Sequence, residues 1–145
     1  MTRDARRRVR DAHARLEGDA DLWISTAHGG QPWLVPLSFH WTGTALLMAT
    51  LRRSRTYRNL AAGGRARIAL GQTRDVLMID GRVDLPEQVP THEADAVTAV
   101  AGYDPRTQPD TGYLRFVPRR AQSWRNVAEF DDRIIMANGR WVADL

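Results

Sequence analysis

The sequence predicts a mainly β protein, an antiparallel sheet curled into a small barrel with helices packed outside it. Three observations lead there. Apolar runs at 21–28, 32–41 and 44–50 follow one another across Gly29-Gly30 and Thr42-Gly43, connections short enough to force antiparallel neighbours. Apolar residues alternate in 65–71, where Ala66, Ile68 and Leu70 share one side. Helical patterns come only at intervals, so the strand–helix alternation of a parallel doubly wound sheet is missing.

Each element has its own signal. Residues 3–17 read as a helix, with Val9, Ala12 and Leu16 on one face and Gly18 ending it. Residues 21–28, 32–41 and 44–50 are the first three strands, and Pro36 marks an edge or a bulge in the second. Ser54 is an N-cap for a short helix over 55–62, stopped by Gly63-Gly64. Strands follow at 65–71 and 75–85, with Gly81 as a bulge. Thr91 caps a helix to Ala101, with Ala94 and Val97 inward. Residues 112–125 form a long strand interrupted by Pro118, and 133–142 a hairpin around Asn138-Gly139. The whole chain, 1–145, is expected to be one domain, an N-terminal helix over 1–18 and a barrel over 19–142.

Composition narrows the function. Apolar residues make up 43% and charged residues 26%, enough for a core without staples. Cysteine is absent, which removes disulfides, thiolate metal sites and a cysteine nucleophile. All 21 basic residues are arginine, so the pI is high at a net charge of only +4, and no lysine is present to form a Schiff base. Residues 1–18 are charged throughout and lack the apolar stretch of an export signal, and no run approaches the roughly 18–20 apolar residues of a membrane span. A soluble, cytoplasmic protein is the expectation.

The segment TLRRSRTYRNL, residues 50–60, carries the strongest chemical signal. It holds Arg52, Arg53, Arg55 and Arg58, with Thr50, Ser54 and Thr56 among them, and no Asp or Glu occurs between Asp21 and Asp75. Arginines beside a Ser-capped helix start repel the helix dipole unless an anion sits there, and guanidinium forks and hydroxyls together suit a phosphate. The competing reading is a solvated basic face whose carboxylates arrive from elsewhere in the fold. A third is a nucleic-acid surface, with Trp23, Trp33, Trp41 and Trp124 as stacking platforms, though no nucleic-acid motif accompanies them.

Other candidates are weaker. His13, His28, His40 and His92 lack metal-ligand spacing, so no metal site is expected. Ser25, Ser38 and Ser123 lack a nucleophile elbow, and Glu129 with Asp131-Asp132 reads as a charged turn. No catalytic side-chain set stands out, which fits a protein whose cofactor carries the chemistry.

The run LVPLSFHW, a hairpin, ALLMAT, SRTYRNL and RARIALG, with the later PRRAQSWR, resembles the pyridoxamine 5′-phosphate oxidase-like family of split-barrel flavoproteins. It is especially similar to the actinobacterial branch that includes deazaflavin (coenzyme F-420)-dependent reductases. The resemblance covers about residues 19–142. It implies a six-stranded antiparallel split barrel of Greek-key type that forms a homodimer, with a cofactor site at each end of the interface. It implies FMN or F-420 as cofactor and hydride transfer to a small conjugated substrate. The residues it implicates are Val35, Pro36, Leu37 and Ser38 along the ring, and Met48, Ala49 and Thr50 against the ring and ribityl chain. Ser54, Arg55, Thr56, Arg58 and Asn59 would lie at the phosphate. Trp124 and Arg125 would reach in from the other subunit. Flavin-binding members often carry lysine where Thr56 stands, a departure in this chain. A flavin or haem carrier without enzymatic activity is the alternative on the same fold.

Overall fold

A computed structural model of the chain describes residues 2–144. The elements run α1 (Ala5–Gly18), β1 (Asp21–His28), β2 (Gln31–Ser38), β3 (His40–Trp41), β4 (Leu46–Leu51), α2 (Arg55–Gly63), β5 (Arg65–Leu70), β6 (Val76–Asp84), α3 (Thr91–Ala101), β7 (Thr111–Trp124), α4 (Val127–Phe130), β8 (Ile134–Ala137) and β9 (Arg140–Trp141). All the strand pairings are antiparallel. The main order is β2-β1-β5-β6-β7-β4-β3, with β8 on β7 and β9 on β8.

The ladder does not close. β2 pairs only with β1, and β3 only with β4, so the two ends of the path face each other without bonding. They are joined covalently at Phe39, whose buried ring turns into the core between Ser38 and His40. This break divides the expected 32–41 strand into two and makes the barrel a split one. Pro36 lies on the edge strand, where its missing N–H costs no ladder bond.

The interior is filled by alternate residues of each strand, Leu22 and Ile24, Leu46 and Met48, Leu77 and Ile79, Leu114 and Phe116. Helix α1 adds Val9, Ala12 and Leu16 to the same core. The unbroken apolar run of β4 is explained by burial on both faces, because Leu47 and Ala49 point outward against Ala94 and Val97 of α3. The register between β6 and β7 slips after Asp80↔Arg120 to Gly81↔Pro118, so Arg119 is the extra bulge residue. Gly81 is required there, because a Cβ would stand 2.5 Å from the Val117 carbonyl oxygen and 2.6 Å from the Phe116 ring.

Two local expectations are corrected. Thr91 is the first helical residue of α3 rather than its cap; the cap is Pro90, which offers no side-chain hydrogen bond. The short helix α4 was not anticipated. It exists because Glu129 turns inward, fully buried, and accepts the Arg3 amide at 2.7 Å, the Arg3 Nη2 at 2.8 Å and the Arg125 amide at 2.8 Å.

Candidate functional site

The gap between the two ends of the sheet holds a cleft. It measures about 740 Å³, within the range of small-molecule sites. One wall is Pro36, Leu37 and Ser38 of β2, on the strand's free edge; the other is Ala49, Thr50 and Leu51 of β4. The Ser38 hydroxyl donates to the Asp21 carboxylate at 2.7 Å, which fixes the end of β2. A third wall is the loop between α3 and β7, which brings Tyr103, Asp110 and Thr111 to the cleft. Burial raises the Tyr103 phenol above its ordinary range, so it stays protonated and donates to the Ala49 carbonyl at 3.4 Å.

Arg53 stands at one end of this cleft, and Asp110 answers it. The Asp110 carboxylate lies 3.7 Å from the Arg53 guanidinium, and its carbonyl accepts the Arg52 amide at 2.7 Å. Arg67 is neutralised by a two-point pair with Asp80, at 2.6 and 3.0 Å. Among the described residues, Arg52, Arg55, Arg58, Arg65 and Arg74 have no carboxylate within 4.0 Å. The fold therefore neutralises part of the arginine cluster and leaves its centre open.

That centre is the first turn of α2. Ser54 caps it, its hydroxyl accepting from the Tyr57 amide at 3.1 Å, and no acidic residue follows in the first turn. Arg55, Arg58, Asn59 and His28 line a smaller pocket of about 330 Å³. The Arg55 guanidinium lies 5.2 Å from the centre of the Trp33 ring, a cation–π contact that holds its stem without consuming its charge. Asn59 is partly committed, because its amide donates to the Thr26 hydroxyl at 3.1 Å and ties α2 to β1.

The implicated residues thus fall into four groups. Pro36, Leu37, Ser38, Ala49 and Thr50 share the large cleft. Arg55, Arg58 and Asn59 share the α2 pocket, with Ser54 capping the helix. Val35 packs against the core, while Met48 and Thr56 are buried and line neither cavity. Trp124 and Arg125 are at the opposite end of β7 from Gly112, the partner of Thr50. There Arg125 pairs with Asp75 at 3.1 Å and Trp124 packs edge-on against Phe130. Within one chain these two do not join the cleft. Arg53, Tyr103, Asp110 and His28 were missed as lining residues. The positive φ of Asp110, 58°, is the local mark of the loop that delivers it.

Residues 11–125 match the profile of the pyridoxamine 5′-phosphate oxidase family. The chain belongs to that family. No curated protein matches it in sequence. Solved structures share the family's fold at low identity. An F420 reductase aligns with a TM-score of 0.63 and 17% identity, over 75% of this chain and 94% of its own. A FAD-binding protein from Mesorhizobium loti gives 0.64 and 16%, over 78% and 89%. A heme-binding protein from Mycobacterium smegmatis gives 0.68 and 17%, over 96% of this chain and 60% of its own. Proteins that share this fold thus include an F420 reductase, a FAD-binding protein and a heme-binding protein. Among the described residues no helix is long and apolar enough to cross a membrane, and no cluster of His, Asp or Glu can hold a metal.

Proposed function

We propose that this protein binds FMN or the deazaflavin F-420 and serves as an oxidoreductase toward a small conjugated substrate. The observation that carries the reading is that β4, one wall of an apolar cleft, runs on through Arg53 at the cleft's end directly into a helix start whose Arg55 and Arg58 have no carboxylate within 4.0 Å among the described residues. When bound in its reduced form, the cofactor would supply a hydride to the acceptor and be left oxidised, with solvent supplying the balancing proton. The residues present fit such a group. Pro36, Leu37 and Ala49 exclude water from a flat ring, and the free edge of β2 offers backbone groups to its polar rim. Arg55 and Arg58 hold a phosphate with the Ser54 hydroxyl and the unpaired amides at the start of α2. Thr56, 2% exposed, takes no part in this. No side chain is needed as a base, and no histidine lines the cleft.

A haem carrier is the second reading. It is favoured by His28, which lines the same pocket as Arg55 and Arg58, an imidazole beside two carboxylate-binding guanidiniums. Titrating the purified protein with FMN, F-420 and haem in parallel separates these readings. Saturable quenching of flavin or deazaflavin fluorescence at micromolar concentration or below is expected. A sharp Soret band with haem, lost in His28→Ala, together with no flavin binding, would overturn the oxidoreductase reading.

We further infer that the working unit is a homodimer. Trp23 and Leu34, 50% and 59% exposed, lie on the outer face of β1 and β2 beside Pro36 of the cleft. By the family resemblance, a second copy on that face would bring Trp124 and Arg125 to the cleft, which one chain does not do. Sedimentation is expected to give twice 16.4 kDa. A monomer at tens of micromolar would remove these two residues from the site.

A further inference from the structure

A second cleft, of about 580 Å³, lies under the N-terminus of α3 and shares Gln108, Pro109, Asp110 and Thr111 with the ring cleft. Three independent features converge on it. Helix α3 begins at Thr91, which lines the cleft, with no side chain capping it; the Glu93 and Ala94 amides donate to the Pro90 carbonyl at 3.0 and 2.9 Å, which leaves the Thr91 and His92 amides at the positive end of the helix dipole. Arg52 lines the same space and has no carboxylate within 4.0 Å among the described residues, whereas Arg106 beside it is held by Asp95 and Asp104 at 2.8 and 2.9 Å. The third is Tyr113 in the wall. It is 5% exposed, and its hydroxyl is buried with no hydrogen-bond partner. The large majority of buried side-chain polar atoms in native folds have partners, so an unmet hydroxyl on a residue that lines a cavity is a donor open to a ligand.

We propose that this cleft is a binding subsite for a small organic carboxylate, held by Arg52, the amide end of α3 and the Tyr113 hydroxyl. The rest of the lining selects the ligand's charge. Glu87 also lines the cleft and has no cation within 4.0 Å among the described residues, so one unpaired positive group stands against one unpaired negative group. Each negative charge on a ligand meets Glu87 as well as Arg52, so a monoanion is opposed less than a phosphate dianion. Because the wall is shared, a conjugated molecule anchored here by its carboxylate reaches over Gln108 and Pro109 toward the ring cleft. The subsite therefore makes carboxylate-bearing acceptors the substrate class. That extension rests on the oxidoreductase reading; binding itself does not.

The test is amide-resolved NMR of the full chain titrated with benzoate and, separately, with inorganic phosphate. Saturable shifts of the Thr91 and His92 amides with benzoate are expected. Arg52→Gln is expected to weaken that binding about tenfold or more, the usual effect of losing a charge-assisted bond. Tyr113→Phe weakens it several-fold while leaving the fold intact. Unmoved amides, or equal affinity in Arg52→Gln, would overturn the subsite; phosphate binding as tightly as benzoate would overturn the carboxylate class. Flavin titration of the same sample keeps the two readings apart. Loss of flavin binding with benzoate shifts intact fails the cofactor assignment alone.

Discussion

Replacing Glu129 with alanine is expected to cost the fold about 3–5 kcal/mol, the usual range for breaking a buried ion pair by removing one partner. The carboxylate is fully buried and is the meeting point of both chain ends. It accepts the Arg3 amide, two Arg3 guanidinium nitrogens at 3.1 and 2.8 Å, and the Arg125 amide. Its removal leaves the Arg3 guanidinium, 7% exposed, with Asp11 at 3.0 Å as its one carboxylate among the described residues and the Ser123 hydroxyl at 3.5 Å. The melting temperature is expected to fall on the order of 10 °C. Asp95→Ala, which breaks an exposed pair with Arg106, is expected to change it by a small fraction of that. Equal effects from the two would mean that burial does not set the strength of the Glu129 pair.

The same residue predicts a pH dependence. Hydrogen bonds from Arg3 hold Glu129 down to about 2, against an ordinary value of 4.5. The folded state therefore holds fewer protons at this site than the unfolded chain. The stability it contributes is complete above pH 4.5 and is lost as pH falls toward 2. Glu129→Gln is expected to flatten the acid limb of the stability profile in that window.

Nothing near Glu129 in the sequence announced this. It reads as part of a charged turn, and its partner Arg3 is 126 residues away. Elements with a local period were open to reading. The alternation of β5 and the Ser54 cap follow from neighbours within a few residues, whereas the bulge expected at Gly81 has its extra residue, Arg119, on the facing strand β7. The cleft is different in kind. Its walls are β2 and β4, and only the order of strands in the sheet makes them face each other. The arginine cluster shows the same limit. Its lack of nearby carboxylates was visible, but the arrival of Asp110 at Arg53 depends on a loop with no periodicity. Tyr113 reads as an ordinary strand aromatic until α3 is placed over it.

The double substitution Arg55→Ala with Arg58→Ala is expected to weaken cofactor binding on the order of a hundredfold or more. Each charge-assisted bond is worth about 1.5–3 kcal/mol, and every 1.4 kcal/mol is about tenfold in affinity. Both guanidiniums line the α2 pocket, and neither has a carboxylate partner among the described residues, so neither has an internal charge to satisfy first. The fold is expected to survive, because both side chains are exposed and Ser54 still caps the helix. Arg53→Ala makes the contrast. Arg53 borders the ring cleft rather than the α2 pocket, and its charge is already answered by Asp110, so less of it is open to the phosphate and its loss is expected to cost less. The two cofactors also diverge. F-420 adds an acidic glutamyl tail to its phosphate, so the double variant is expected to lose more affinity for F-420 than for FMN. Equal losses would confine the arginines to the phosphate. Unchanged affinity for both would return them to solvent and take the phosphate site away from α2.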